Sequence, residues 1–141
     1  MKNRTLAIIK PDAVENNYTG LIYDRILKNN FKILCAKLIK MTKKQAEGFY
    51  SIHKEKSFYD ELTSFMSSNP CMVLALEKNF AVSEWRKAIG STNPKDARSG
   101  TIRRDFAKSL SQNAVHGSDS DENAQKEIAF FFSDSELISN E

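Results

Sequence analysis

Three short apolar runs, Thr5 to Ile9, Phe31 to Ile39 and Cys71 to Glu77, alternate with segments whose apolar residues recur at helical spacing. That alternation limits the fold more than any other feature, because runs of this length read as strands and the segments between them are long enough for helices. In the second run Ile33, Cys35 and Lys37 share one face and Leu34, Ala36 and Leu38 the other, which predicts a largely buried central strand. The third run is apolar on both faces as well. Leu21, Ile22, Arg25, Ile26 and Asn29 follow the cap candidate Thr19, and Ala46, Phe49, Tyr50 and His53 follow Thr42. A helix from Phe58 through Leu62, Phe65 and Met66 stops before Pro70, and Val82, Trp85, Arg86 and Ile89 mark another, ended by Gly90. The last begins near Ser120, with Asp121 and Glu122 in its positive first turn and Ala124, Ile128 and Phe131 on one face. This order predicts an α+β fold in which helices cover one face of an antiparallel sheet.

With 141 residues, a single domain over 1–141 is expected, with a polar tail that frays after about residue 133. Only five Gly and three Pro accompany 40% hydrophobic residues, which excludes collagen-like, low-complexity and disordered chains. No apolar stretch approaches the roughly 20 residues that span a bilayer, so neither a membrane segment nor a signal peptide is expected. The net charge of +3 is too small to demand a polyanionic polymer as partner, yet it permits a local cationic pocket. Cys35 and Cys71 lie far apart in apolar runs without metal-ligand spacing. They read as buried thiols of a reducing compartment, and a cytoplasmic location is expected.

Between Gly90 and Gly117 the apolar periodicity weakens while Ser, Thr, Asn, Asp and Arg accumulate, and a loop of that length in a compact domain implies function. It leads into Asn113-Ala-Val-His-Gly-Ser-Asp-Ser120, whose small polar side chains suit a site better than a core. His116 would be mostly uncharged at neutral pH, a nucleophile or base. Glu127, on the helix face of Ser120 and Ala124, is placed to turn back toward Ser118 and His116. Lys10, Arg86, Arg98, Arg103 and Arg104 supply the charge-assisted donors that phosphate requires. No Walker-type glycine loop and no protein-kinase signature is present, so a phosphate cradle must be built from separate side chains. His53 sits on a polar helix end and reads as a surface residue. An RNA-recognition module would have a similar alternation of strands and helices, but it would expose aromatics on its sheet, where this chain places Ile, Leu, Val and Cys.

Lys10-Pro11-Asp12-Ala13-Val14, then Thr92-Asn93-Pro94 leading into Gly100-Thr101-Ile102-Arg103 and Asp105-Phe106, and Asn113 to Ser120 followed by Glu127-Ile128, together resemble the nucleoside diphosphate kinase family from about Thr5 to Phe132. The resemblance implies a ferredoxin-like α/β sandwich, a four-stranded antiparallel sheet covered by helices. It implies transfer of the terminal phosphate of ATP and other nucleoside triphosphates to nucleoside diphosphates through a phosphohistidine on Nδ1 of His116, with broad base and sugar tolerance. Lys10, Tyr50 and Asn113 would surround the transferring phosphate and sugar. Arg86, Thr92 and Arg103 would hold the remaining phosphates, Phe58 and Leu62 would line the base slot, and Ser118 with Glu127 would support the histidine. Mg²⁺ would arrive with the nucleotide, with Asp119 as the nearest acidic contact. The family implies a homotetramer or homohexamer and no obligatory nucleic acid. Three departures, Ser57, Ser99 and Arg104, bear on the stiffness of the base-binding helices and of the long loop and remove no catalytic group.

Overall fold

The computed structural model describes residues 2–137. Its order is β1 (Lys2–Ile9), α1 (Pro11–Glu15), α2 (Thr19–Lys28), β2 (Lys32–Ile39), α3 (Lys43–Phe49), α4 (Tyr59–Met66), β3 (Cys71–Asn79), α5 (Ala81–Ile89), α6 (Ile102–Phe106), β4 (Val115–Gly117) and α7 (Asp121–Phe131). Short 3₁₀ turns stand at Ser51–His53, Pro94–Asp96 and Asp134–Glu136. The four strands form one antiparallel sheet in the order β2-β3-β1-β4. This is the ferredoxin-like sandwich.

Helices cover both faces of the sheet rather than one, because the two inner strands are apolar on both sides. Ala7 and Ile9 of β1, with Leu74 and Leu76 of β3, pack with Ile22, Ile26, Trp85 and Ile89 from α2 and α5. Leu6, Ile8, Val73 and Ala75 face the other way, onto Ala46, Met66 and Ile128 from α3, α4 and α7. Alternation along a strand sends successive side chains to opposite faces, so each inner strand feeds two cores. The second run is correspondingly not a central strand. β2 pairs only with β3, lies at an edge, and buries only Leu34 fully, and a register irregularity between Ile33 and Cys35 breaks its alternation. Cys35 is therefore half-buried, and only Cys71 is the buried thiol expected.

Local chemistry explains most helix ends. Thr42 accepts the Gln45 N–H while Gln45 reaches back to the Thr42 N–H, a capping box, and Ser120 accepts the Asn123 N–H. Gly90 closes α5 with φ +88°, a conformation open to glycine. Thr19, by contrast, is the first residue of α2 rather than its cap, and Tyr18 at the cap position makes no side-chain bond.

The long segment from Gly90 to Gly117 is not structureless. It contains α6 and β4, and Arg25 of α2 anchors it by pairing with Asp105, donating to Gly100 O and lying 5.1 Å from the centre of the Phe106 ring. Residues 133–137 form a turn tied to the edge strand. Ser133 and Glu136 form a capping box, and Lys37 of the edge strand binds Glu136 and the Phe131 carbonyl. The rest of the expected fray, 138–141, lies outside the described residues. Among the described residues no helix is long and apolar enough to cross a membrane.

Candidate active site

β4 is only three residues long, yet its pairing with β1 decides where the histidine faces. His116 stands opposite Ile8, and directly paired residues share a face, which puts the imidazole on the side of α3 and α7. Phe49 and Tyr50, at the end of α3, meet it edge-on at ring distances of 5.5 and 6.4 Å. Its Nε2 lies 2.8 Å from Glu127 Oε1 on α7, and Ser118 Oγ donates to the same oxygen at 2.8 Å. Ser118 is itself fixed, since its Oγ accepts the Leu6 N–H. From the other core, Trp85 Nε1 donates to the His116 carbonyl at 3.0 Å. Gly117 permits that approach: a Cβ there would stand 2.8 Å from Trp85 Cδ1.

Burial holds the His116 pKa below its ordinary value; Glu127 opposes this, and the charges of Lys10 and Arg103 reinforce it. The ring is then neutral at physiological pH. With a carboxylate accepting at Nε2, the assigned tautomer carries its proton there and leaves the lone pair on Nδ1. Nδ1 makes no hydrogen bond among the described residues.

Two cations are buried beside this group. Lys10 follows β1 and is 8% exposed; its Nζ donates to Asn113 Oδ1 at 2.8 Å, and burial together with Arg103 brings its pKa down to about 8. Arg103, on α6, donates through Nη1 to Gly90 O and through Nη2 to Val115 O, so it ties the end of α5 to the start of β4. Burial and nearby Arg86 lower its pKa to about 10. Arg86 and Thr92 are exposed and line, with Arg103, a cleft of about 650 Å³. Tyr50 OH and Arg103 Nε are buried donors without a partner among the described residues, and burial keeps the phenol protonated.

Phe58 and Leu62, on either side of the start of α4, line a second cleft of about 620 Å³ with Lys10, Thr92, Asn113 and Leu110. Thr92 borders both clefts, and its carbonyl accepts from Asn113 Nδ2 at 3.4 Å. Phe58 is 47% exposed, with the His53 ring 5.6 Å away. A larger cleft of about 750 Å³, beside Asn3, Arg4, Asp121 and Phe132, contains neither the histidine nor the buried cations. Asp119 is exposed after β4; Asn123 Nδ2 donates to its carboxylate, and that bond keeps its pKa below the usual range. No group of three or more potential metal-ligating side chains occurs among the described residues. Asp119 therefore belongs to no such group among the described residues.

Phe49 and Trp85 were not apparent from the sequence as neighbours of the histidine. Both stand at ordinary core spacing on their helices, and only the tertiary packing brings them there.

A family model described as nucleoside diphosphate kinase matches residues 3–137. A nucleoside diphosphate kinase of Geotalea uraniireducens is 56% identical over 135 residues, covering 96% of this chain and 98% of the relative. That of Francisella philomiragia is 52% identical over 137 residues, covering 97% and 98%. Among solved structures, the Aquifex aeolicus nucleoside diphosphate kinase superposes with a TM-score of 0.95 at 40% identity, covering 98% of this chain and all of that one. A halophilic nucleoside diphosphate kinase of Halobacterium salinarum, in complex with CDP, gives 0.94 at 34% identity, covering all of this chain and 94% of the other.

Proposed function

This chain belongs to the nucleoside diphosphate kinase family, and we propose that it moves the γ-phosphate of a nucleoside triphosphate to a nucleoside diphosphate through a phosphohistidine on His116. Phosphoryl transfer between nucleotides is the activity that the family name carries. The finer reading is a ping-pong cycle, tolerant of base and sugar, in a cytoplasmic single-domain chain that assembles as a tetramer or hexamer.

One observation carries the reading: Glu127 Oε1 engages Nε2 of a neutral, partly buried imidazole, which favours Nδ1 as the nucleophile. The Nδ1 lone pair attacks the γ-phosphorus, the bond from phosphorus to the bridging oxygen breaks, and the nucleoside diphosphate departs with that electron pair. The positive charge that develops on the ring is met by Glu127 through the Nε2 proton. An incoming diphosphate reverses the step through its terminal oxygen. Lys10, Tyr50 OH and Arg103 surround the ring with donors that stabilise charge on the transferring group. Two mutually repelling polyanions thereby share one site in turn.

Arg86, Thr92 and Arg103 are read as the contacts to the remaining phosphates, and Asn113 with Lys10 as contacts to the sugar. Phe58 and Leu62 present stacking and apolar surface that all bases share, which favours broad acceptance. The CDP complex of the Halobacterium relative supports a slot that admits a pyrimidine. Mg²⁺, when bound, would neutralise phosphate charge, and Asp119 is the residue that would steady it. Initial rates with ATP and a diphosphate acceptor both varied test the cycle. Parallel double-reciprocal lines are expected, and converging lines contradict it.

A further inference from the structure

Asp12 belongs to none of the groups above, yet it is buried to 6% exposure two residues after Lys10. Its Oδ2 accepts the Ala114 N–H at 3.1 Å, bridging 102 positions of sequence. Ala114 is a residue whose backbone needs holding. It has φ +72°, and the Val115 N–H donates to Asn113 O at 2.8 Å, so residues 113–115 make a γ-turn of the strained, positive-φ kind. A side-chain-bearing residue keeps such a conformation only where its surroundings over-determine it.

Those surroundings come from the turn after β1. The Lys10 N–H donates to Ala114 O at 2.8 Å, so the carbonyl of Ala114 is held by Lys10 and its N–H by Asp12. Asn113, the partner of Lys10 Nζ, stands just before the strained residue, and His116 two places after it. A strand of three residues has few ladder bonds with which to fix its own direction. Ion pairing does not account for Asp12, because Lys10 gives its ammonium to Asn113 and Asp12 Oδ1 has no partner among the described residues. Burial, moreover, raises the Asp12 pKa, with Lys10 opposing. The position calls for an acceptor more than for a charge.

We propose that Asp12 is a positioning residue for phosphoryl transfer: its carboxylate holds Ala114 in the γ-turn that sets Asn113 and His116 around Lys10. The inference rests on the reading of His116 as the phosphorylated residue. Three full-length variants test it, Asp12→Asn, Asp12→Ala and Asp12→Ala with Ala114→Gly. Their thermal midpoints, nucleotide affinities and rates of labelling by γ-labelled ATP at saturation are compared with the parent.

Asp12→Ala should lose at least about tenfold in labelling rate, with a smaller change in affinity and a thermal midpoint several degrees lower. Asp12→Asn keeps an acceptor oxygen and should retain most of the rate. Glycine adopts φ +72° without strain, so the double variant should recover much of the lost midpoint. If Asp12→Ala does not fold, a folded double variant supports the clamp and an unfolded one overturns it. A parental rate in Asp12→Ala, equal losses in Asp12→Ala and Asp12→Asn, or a double variant no more stable than Asp12→Ala also overturns it. A parent that takes no label fails the phosphohistidine reading instead, and the pattern of midpoints still decides the clamp.

Discussion

Glu127 Oε1 stands 2.8 Å from Nε2 of His116, with Ser118 Oγ donating to the same oxygen. Ser118 is bonded in turn to the backbone of β1. The ring orientation therefore derives from the sheet and from α7 together, and neither a mobile loop nor a lone helix sets it.

Protonation of His116 removes the lone pair that attacks. Because burial keeps the folded pKa below the ordinary value of about 6.5, labelling by ATP should fall with pH only below that point. Glu127→Gln removes the carboxylate charge that raises the ring pKa and leaves only a neutral acceptor at Nε2, so its acid limb should move to still lower pH while the plateau rate drops. The same depressed pKa means that the unfolded chain binds more protons than the folded one below about pH 6.5, so stability declines as pH falls through that window. Urea midpoints measured from pH 7.5 to 5 should show a decline that is smaller in His116→Asn. A limb that stays in place or moves up in Glu127→Gln contradicts this account.

Arg103 and Arg104 are neighbours with opposite environments. Arg103→Ala strips the Gly90 and Val115 carbonyls of their partner, at about 1–3 kcal/mol for each group left unsatisfied, and should lower kcat/KM by roughly 10²-fold or more. Arg104 is exposed, so Arg104→Ala should change little. Thermal midpoints and kcat/KM of the two variants provide the check, and equal effects would mean that Arg104 shares the phosphate contact.

Phe58 lines the second cleft and is nearly half exposed. Phe58→Ala should weaken every nucleotide, at about 1–3 kcal/mol per stacked base, purines slightly more. A panel of diphosphate acceptors measures this, and a preference for one base above about 10³-fold in the parent would reveal a group that reads the base edge.

Gly117→Ala tests the contact behind the histidine. Its Cβ would collide with Trp85, so the indole must shift and its bond to the His116 carbonyl must lengthen. Overpacking of this kind costs about 1–3 kcal/mol. A lower thermal midpoint and a slower labelling rate are expected together, and a variant with parental values of both refutes the contact's role.

Caps and strand runs were legible because their chemistry is local: Thr42 with Gln45, Ser120 with Asn123, and Gly90 at the end of α5 each act within four residues. The facing of Glu127 toward His116 was legible too, from helical spacing after a recognisable cap. α1, α6 and β4 were not, since elements of three to five residues carry too little periodicity. The edge position of β2 depends on strand order, which no local pattern encodes. Asp12 read only as part of a motif because its partner, Ala114, is 102 residues away. Phe49 and Trp85 looked like core residues, and they are core residues that also touch the site.

The central claim is that Nδ1 of His116 carries the phosphate while Glu127 holds Nε2. Phosphorus NMR of the protein after reaction with excess ATP tests it most directly, with the signal followed on adding a nucleoside diphosphate. The account predicts one acid-labile phosphoramidate resonance of the Nδ1 type, absent in His116→Asn and discharged by the diphosphate with formation of triphosphate. A resonance of the Nε2 type, or phosphate that persists in His116→Asn, would contradict it.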